Sequence, residues 1–143
     1  MPVRKDPSGR RYVQVEVEMP GTPEQVWDAI ATGPGVSSWF VPTEIDQHVG
    51  GTAKMNFGPG MDAIATITAW EPPHRFVDEQ KRGPYRQWLH EHRFVAKDGG
   101  TLCTDHVRYA VLGGELVNRL FVRRDIERIF AHRTRMLTEH FTR

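Results

Sequence analysis

The chain has 143 residues, of which 26% are charged and 38% hydrophobic, and its formal net charge is +1. That length predicts one domain spanning residues 1–143 with one real core, and the charge supplies no general attraction to nucleic acid or to a membrane surface. No apolar run approaches the roughly 20 residues that cross a bilayer, the single Cys103 excludes an internal disulfide framework, and the polar start lacks an apolar signal core, so a cytoplasmic protein is expected.

Residues 1–10 mix Pro2, Pro7 and Gly9 with charges and predict a flexible start. From Tyr12 the pattern alternates, with Val13, Val15, Val17 and Met19 on one side and Gln14, Glu16 and Glu18 on the other, as in a half-buried antiparallel strand. Thr22-Pro23-Glu24-Gln25 reads as a helix start: Thr22 at the N-cap, Pro23 at the first helical position, and Gln25 placed for a capping box. Val26, Trp27, Ile30 and Ala31 form its apolar stripe. Thr32 to Gly35 ends that helix, and a short second helical turn carries Trp39 and Phe40 inward. An extended segment from Pro42 to His48 follows, then a Gly50-Gly51 turn. Ala53, Met55 and Phe57 share a strand face, Gly58-Pro59-Gly60 turns the chain, and Ala63 to Trp70 is a further strand. Pro72-Pro73 fits only an edge or a loop.

The segment from Phe76 to Phe94 reads as two strands joined by a Gly83-Pro84 turn. Side chains alternate along a strand, so Phe76, Asp78 and Gln80 share one side, and Trp88, His90, His92 and Phe94 share one side. Lys97-Asp98-Gly99-Gly100 is a hairpin turn, Thr101 to Val111 is the next strand, and Gly113-Gly114 breaks it. Setting Ala96 opposite Thr101 places Phe94 against Cys103, His92 against Asp105, His90 against Val107 and Trp88 against Tyr109. Asp105 and Tyr109 then join the row. Glu115 to Arg143 predicts an amphipathic helix of about 26–29 residues carrying Leu116, Leu120, Ile126, Phe130, Leu137 and Phe141. Its seven arginines and four acids read as a solvated face.

The order strand, two short helices, further antiparallel strands and one long helix predicts an α+β domain. In it, a curved antiparallel sheet of about six to seven strands wraps around the C-terminal helix, with space between them. With these motifs in this order, the chain resembles the SRPBCC superfamily, the START-like or helix-grip group, over roughly residues 12–142. The first half resembles the heat-shock-protein ATPase activator (AHSA) branch, through Thr22 to Ala29, Trp39-Phe40, Gly50-Gly51 and Glu71 to Phe76. The second half resembles an uncharacterised, cyclase-like bacterial branch, through Phe76-x-Asp78-x-Gln80, Gly83-Pro84-Tyr85, Trp88-x-His90-x-His92-x-Phe94, Thr104-Asp105, Tyr109 and Leu120 to Arg124. The superfamily includes carriers of hydrophobic ligands, hormone receptors, aromatic polyketide cyclases and dehydratases, and chaperone activators, so the fold alone does not give the function.

The polar row admits three readings. It is structural if His92 and Asp105 form a satisfied buried pair while His90 bonds Asp78 or Gln80. It is a ligand wall if Asp78, Gln80, Trp88, His90, His92, Phe94, Asp105 and Tyr109, with Phe130 from the helix, hold the polar end and the apolar body of a small molecule. It is catalytic if His92 or His90, oriented by Asp105, acts as a general base. His90 and His92 could also chelate a metal with Asp78 or Asp105, but a bare His-x-His is a weak signal, so no metal and no cofactor are expected. Cys103 reads as a small buried hydrophobe, and Trp27, Trp39 and Trp70 read as core. The reading that follows is a binding protein for an apolar or aromatic small molecule, leaning away from enzyme. The alternatives are a cyclase- or dehydratase-like enzyme on a polyketide-type substrate and a protein-binding co-chaperone module. The expected partner is that small ligand, with no nucleic acid and no membrane, and a homodimer is left open.

Overall fold

A computed structural model describes residues 3–5, 11–82, 87–110 and 123–142. Eight strands form one antiparallel sheet: β1 (Val3–Lys5), β2 (Arg11–Met19), β3 (Thr43–Ile45), β4 (Thr52–Asn56), β5 (Asp62–Glu71), β6 (Arg75–Arg82), β7 (Gln87–Lys97) and β8 (Gly100–Ala110). Their order across the sheet is β1-β2-β8-β7-β6-β5-β4-β3, so only the β2–β8 contact is not between chain neighbours. Helices α1 (Pro23–Ala31) and α2 (Gly33–Ser37) lie in the connection between β2 and β3, and α3 (Arg123–Thr142) is the last described element. The antiparallel sheet, the two short helices and the terminal helix are as predicted, with one strand more: residues 3–5 pair with Arg11–Val13 where the sequence reads as a loose start. The Gly83-Pro84 turn, the Gly113-Gly114 break and the helix positions Leu116, Val117, Leu120 and Phe121 lie outside the described residues.

Local chemistry sets the element ends. The Thr22 hydroxyl accepts from the Gln25 backbone N–H at 3.2 Å while the Gln25 side chain accepts from the Thr22 N–H at 2.9 Å, the reciprocal cap that the sequence predicts. Thr32 closes α1 and opens α2, donating to the Asp28 carbonyl and accepting from Gly35 N–H. At the β7–β8 turn Asp98 and Gly99 both take positive φ, 51° and 81°. Two successive left-handed residues match the right-handed twist of a tight hairpin, which is why Asp-Gly serves there. The register runs from that turn: Ala96 faces Thr101, Phe94 faces Cys103, His92 faces Asp105, His90 faces Val107 and Trp88 faces Tyr109, as predicted.

The core has two parts. Met19, Val26, Trp27, Ile30, Trp39, Phe76, Phe94, Cys103 and Leu137 pack together under α1. Trp27 is at its centre, edge-on to Trp70, Phe76 and Phe94 at centroid distances of 4.9, 5.4 and 5.7 Å. Trp39 is buried and donates its indole N–H to the Ala29 carbonyl at 2.8 Å. The second part is Val13, Val15, Val107, Tyr109 and Phe130. Helix α3 supplies Phe130 to one part and Leu137 to the other. Seven residues is close to two turns, so both lie on one helix face. Truncating Leu137→Ala is therefore expected to cost about 3 kcal/mol, read from urea unfolding curves; a loss under about 0.5 kcal/mol would show that α3 does not dock through this residue.

Candidate functional site

Between the two apolar parts lies the polar row. Strand alternation brings Asp78 of β6, His90 and His92 of β7 and Asp105 of β8 to one sheet face, against α3. Asp78 faces His90 across β6–β7, and His92 faces Asp105 across β7–β8. The hydrogen bonds run diagonally instead: His90 Nε2 bonds Asp105 Oδ1 at 2.7 Å, and His92 Nε2 bonds Asp78 Oδ2 at 2.9 Å. The predicted partners are exchanged: each Nε2 reaches the carboxylate one pair further along, a diagonal that long side chains span across neighbouring strands. His92 keeps a second contact to Asp105, Nδ1 to Oδ1 at 3.2 Å, but without hydrogen-bond geometry, and that Nδ1 is buried with no hydrogen-bond partner.

The fifth member comes from the helix. Arg133 Nη1 lies 2.9 Å from Asp105 Oδ2, with both side chains largely buried. The sequence reading placed the helix arginines on a solvated face, and for Arg133 that is corrected. Residues 130, 133 and 137 are three and four apart, so Arg133 sits on the same stripe as buried Phe130 and Leu137. Its position within the apolar stripe was the available signal; the charge count concealed it.

Rings stack through the row. Phe76 lies on His92 at 3.9 Å and 9°, His92 on His90 at 3.6 Å and 22°, and His90 meets Phe130 edge-on at 5.8 Å. Trp88 stacks on Phe130 at 6.5 Å. The other predicted site residues are placed as follows. Tyr109 is buried in the part of the core around Phe130, and Phe94 is buried beside Trp27 and Phe76. Gln80 follows Asp78 on the same strand and is half-buried. Cys103 is buried, and burial pushes its thiol up to about 12, the behaviour of an inert core residue. His106 points the other way, stacking on Tyr12 and bonding Gln14.

Burial and pairing divide the charge. Burial lowers His90 to about 4, with His92 adding to the effect, and the bond to Asp105 does not offset it. Burial works on His92 too, but the nearby Asp105 and Asp78 carboxylates outweigh it and raise His92 above its ordinary value. Asp105 is held well below the carboxylate range because Arg133, His90 and His92 together exceed its desolvation. Asp78 is lowered in the same way, chiefly by His92. Near neutral pH the row therefore holds two carboxylates, one guanidinium and a neutral His90, with His92 shifted toward its imidazolium form. An ionised carboxylate only accepts, so neutral His90 donates from Nε2 and carries its lone pair on Nδ1. Asp78, His90 and His92 each also offer a donor atom within 4.8 Å of the other two.

A cleft of about 620 Å³ opens elsewhere, lined by Gly21, Gln25, Asp28, Gly35, His140 and Phe141 among others. It shares no residue with the row. Its walls are the caps of α1 and α2 and the end of α3.

The eight-stranded sheet gripping a terminal helix, with a polar row facing that helix, defines a helix-grip domain. The chain belongs to the family described as Domain of unknown function (DUF8410), whose model matches residues 59–141. Solved structures share the fold at low identity. CalU16 from Micromonospora echinospora is 21% identical with a TM-score of 0.61, over 75% of this chain and 57% of that one. Ara h 8.0201 is 14% identical with a TM-score of 0.73, over 94% and 99% of the two chains. An HSP90 activator from Plasmodium falciparum is 17% identical with a TM-score of 0.61, over 84% and 96%. The chain thus spans just over half the length of CalU16. No curated protein matches the chain. Among the described residues no helix is long and apolar enough to cross a membrane.

Two outcomes follow from this charge pattern. Arg133→Met leaves Asp105 buried without its guanidinium and is expected to cost about 3 kcal/mol. Asp105→Asn with Arg133→Met should cost clearly less than the two single changes added together, as measured by a double-mutant cycle; strict additivity would mean the pair is not coupled. The second outcome is pH dependence. Above pH 6.5 His90 is neutral folded and unfolded. Between 6.5 and about 4 the unfolded chain takes a proton that the folded chain refuses, so stability is lost as pH falls, by about 3 kcal/mol across that window. His92 acts oppositely, its contribution being present below 6.5 and lost as pH rises through its elevated folded value. Urea unfolding with EDTA present should show the acid loss in the parent chain and a much smaller one in His90→Gln. Equal losses in both would remove His90 as the cause.

Proposed function

We propose that this protein binds an apolar or aromatic small molecule between the sheet and α3, with the polar row orienting the ligand's polar end. The observation that carries this reading is the composition of the row: four ionisable groups on one sheet face and Arg133 from α3 opposite, bracketed by Trp88, Phe76 and Phe130 rather than by solvent. A ligand site combines a few fixed polar groups with aromatic walls. The helix-grip fold, with a sheet wrapped around one long helix, supports the same placement.

The cyclase- or dehydratase-like alternative needs a base that is free near neutral pH. His92 is shifted toward its protonated form by the carboxylates beside it, and His90, lowered to about 4, is a weak base. Both facts favour binding over proton abstraction. The co-chaperone alternative draws on the fold shared with the HSP90 activator, and nothing in the row serves it.

Native mass spectrometry of freshly purified protein tests the binding reading, followed by thermal melts against a panel of planar aromatic acids and ketones. A ligand present at a hundred times its Kd is expected to raise Tm by roughly 5–10 °C, and Trp88→Ala should abolish that rise. A bare protein mass together with no Tm rise across the panel would reject the proposal. Stimulation of a chaperone ATPase, unaffected by Trp88→Ala, would favour the co-chaperone alternative instead.

A further inference from the structure

We propose that Asp78, His90 and His92 form a site for a divalent transition-metal ion of the zinc, cobalt or nickel type. The sequence weighs the His-x-His pair as a weak signal. The fold strengthens it by bringing a carboxylate from the adjacent strand to the same place, with one donor atom of each residue within 4.8 Å of the other two.

Four observations support an ion. His92 Nε2 and Asp78 Oδ2 are 2.9 Å apart. Two ligands bound to one ion at about 2.0–2.2 Å sit roughly 3 Å apart at octahedral angles and roughly 3.4 Å apart at tetrahedral ones, so a movement of about 0.5 Å or less brings the pair to the separation an ion requires. His90 donates from Nε2 to Asp105, which is itself anchored by Arg133 at 2.9 Å. A ligating imidazole is oriented in this way, one nitrogen held by a carboxylate and the other left with its lone pair. His92 Nδ1 is buried without a hydrogen-bond partner. It lies 3.2 Å from Asp105 Oδ1, so a carboxylate also stands behind the ring nitrogen opposite the one that would ligate. Finally, Phe76 and Phe130 flank the imidazoles and exclude water, which removes the main competitor for the ion.

The donor set selects the class. Two imidazoles with one carboxylate suit zinc, cobalt, nickel or ferrous iron and not magnesium or calcium, which take oxygen ligands. The ion would take the place of the proton shared between His92 Nε2 and Asp78 Oδ2, and that proton leaves to solvent. Binding would also splay the two imidazoles from their 22° stack so that both planes reach one ion. Three protein ligands leave a coordination position open. The inference does not depend on a small-molecule ligand being bound.

The test uses the full chain, stripped with EDTA and dialysed, then titrated with Zn²⁺ by calorimetry and with Co²⁺ by visible absorption. One saturable equivalent is expected. Asp78→Asn, which preserves shape, should weaken it at least tenfold, whereas His48→Gln, at an exposed histidine in the β3–β4 turn, should leave it unchanged. Long-range ¹H–¹⁵N spectra of the unmutated chain provide a readout that requires no variant to fold. Zn²⁺ should shift the ring nitrogens of two buried histidines. Absence of saturable binding, binding equally strong in folded Asp78→Asn, or shifts confined to exposed histidines would each overturn the site.

Discussion

The Asp105 carboxylate is the interaction on which the rest of the arrangement depends. One oxygen accepts from His90 and lies beside His92, and the other meets Arg133. Through this single group β7, β8 and α3 are joined, and through His92 the link extends to Asp78 on β6. An apolar contact could hold the helix to the sheet at many rotations. A guanidinium buried beside one carboxylate cannot, because a turn in either direction leaves both charges desolvated and unpaired. Phe130 and Leu137 provide the burial that docks α3, and Arg133 between them sets where along the sheet it docks.

The row also accounts for its own proton count. His90 and His92 are stacked at 3.6 Å, and two imidazolium ions at that distance would repel each other strongly. Two carboxylates and one guanidinium leave one negative charge, which one protonated histidine would balance and two would overshoot. The proton rests on His92 because it has an acid on each side, Asp78 at 2.9 Å and Asp105 at 3.2 Å, whereas His90 must share Asp105 with Arg133. Phe76 covers the outer face of the imidazolium, where an aromatic ring meets a cation favourably. Burial in this case stabilises one distribution of charge and penalises the others.

Much of this was legible in the sequence. The β7–β8 register could be read because Lys97-Asp98-Gly99-Gly100 permits one tight turn, and every pair from Ala96 to Trp88 follows from it. The capping box at Thr22 was readable because it needs only four adjacent residues. The histidine partners were not, since pattern reading assigns partners by opposition while side chains choose by reach. Arg133 was missed because counting charge treats all arginines alike, and only its place on the Phe130–Leu137 stripe separates it from them. The short strand β1 carries three residues, too few for alternation to register against the prolines and charges around it.

The two proposals make different demands on the same atoms. A small molecule needs space beside the row, and the sheet face must keep its rings in place to form a wall. A metal ion needs no such space but must take a proton from His92 and separate two stacked rings. The charge count relates the two. With neutral His92 and a divalent ion, the row would carry one excess positive charge, which a solvent hydroxide in the open coordination position would balance when no ligand is present. An anionic oxygen in the open coordination position restores balance, and an enolate, phenolate or carboxylate on an aromatic ligand would supply one. Metal and ligand would then bind with positive coupling, each completing the charge that the other leaves unmatched.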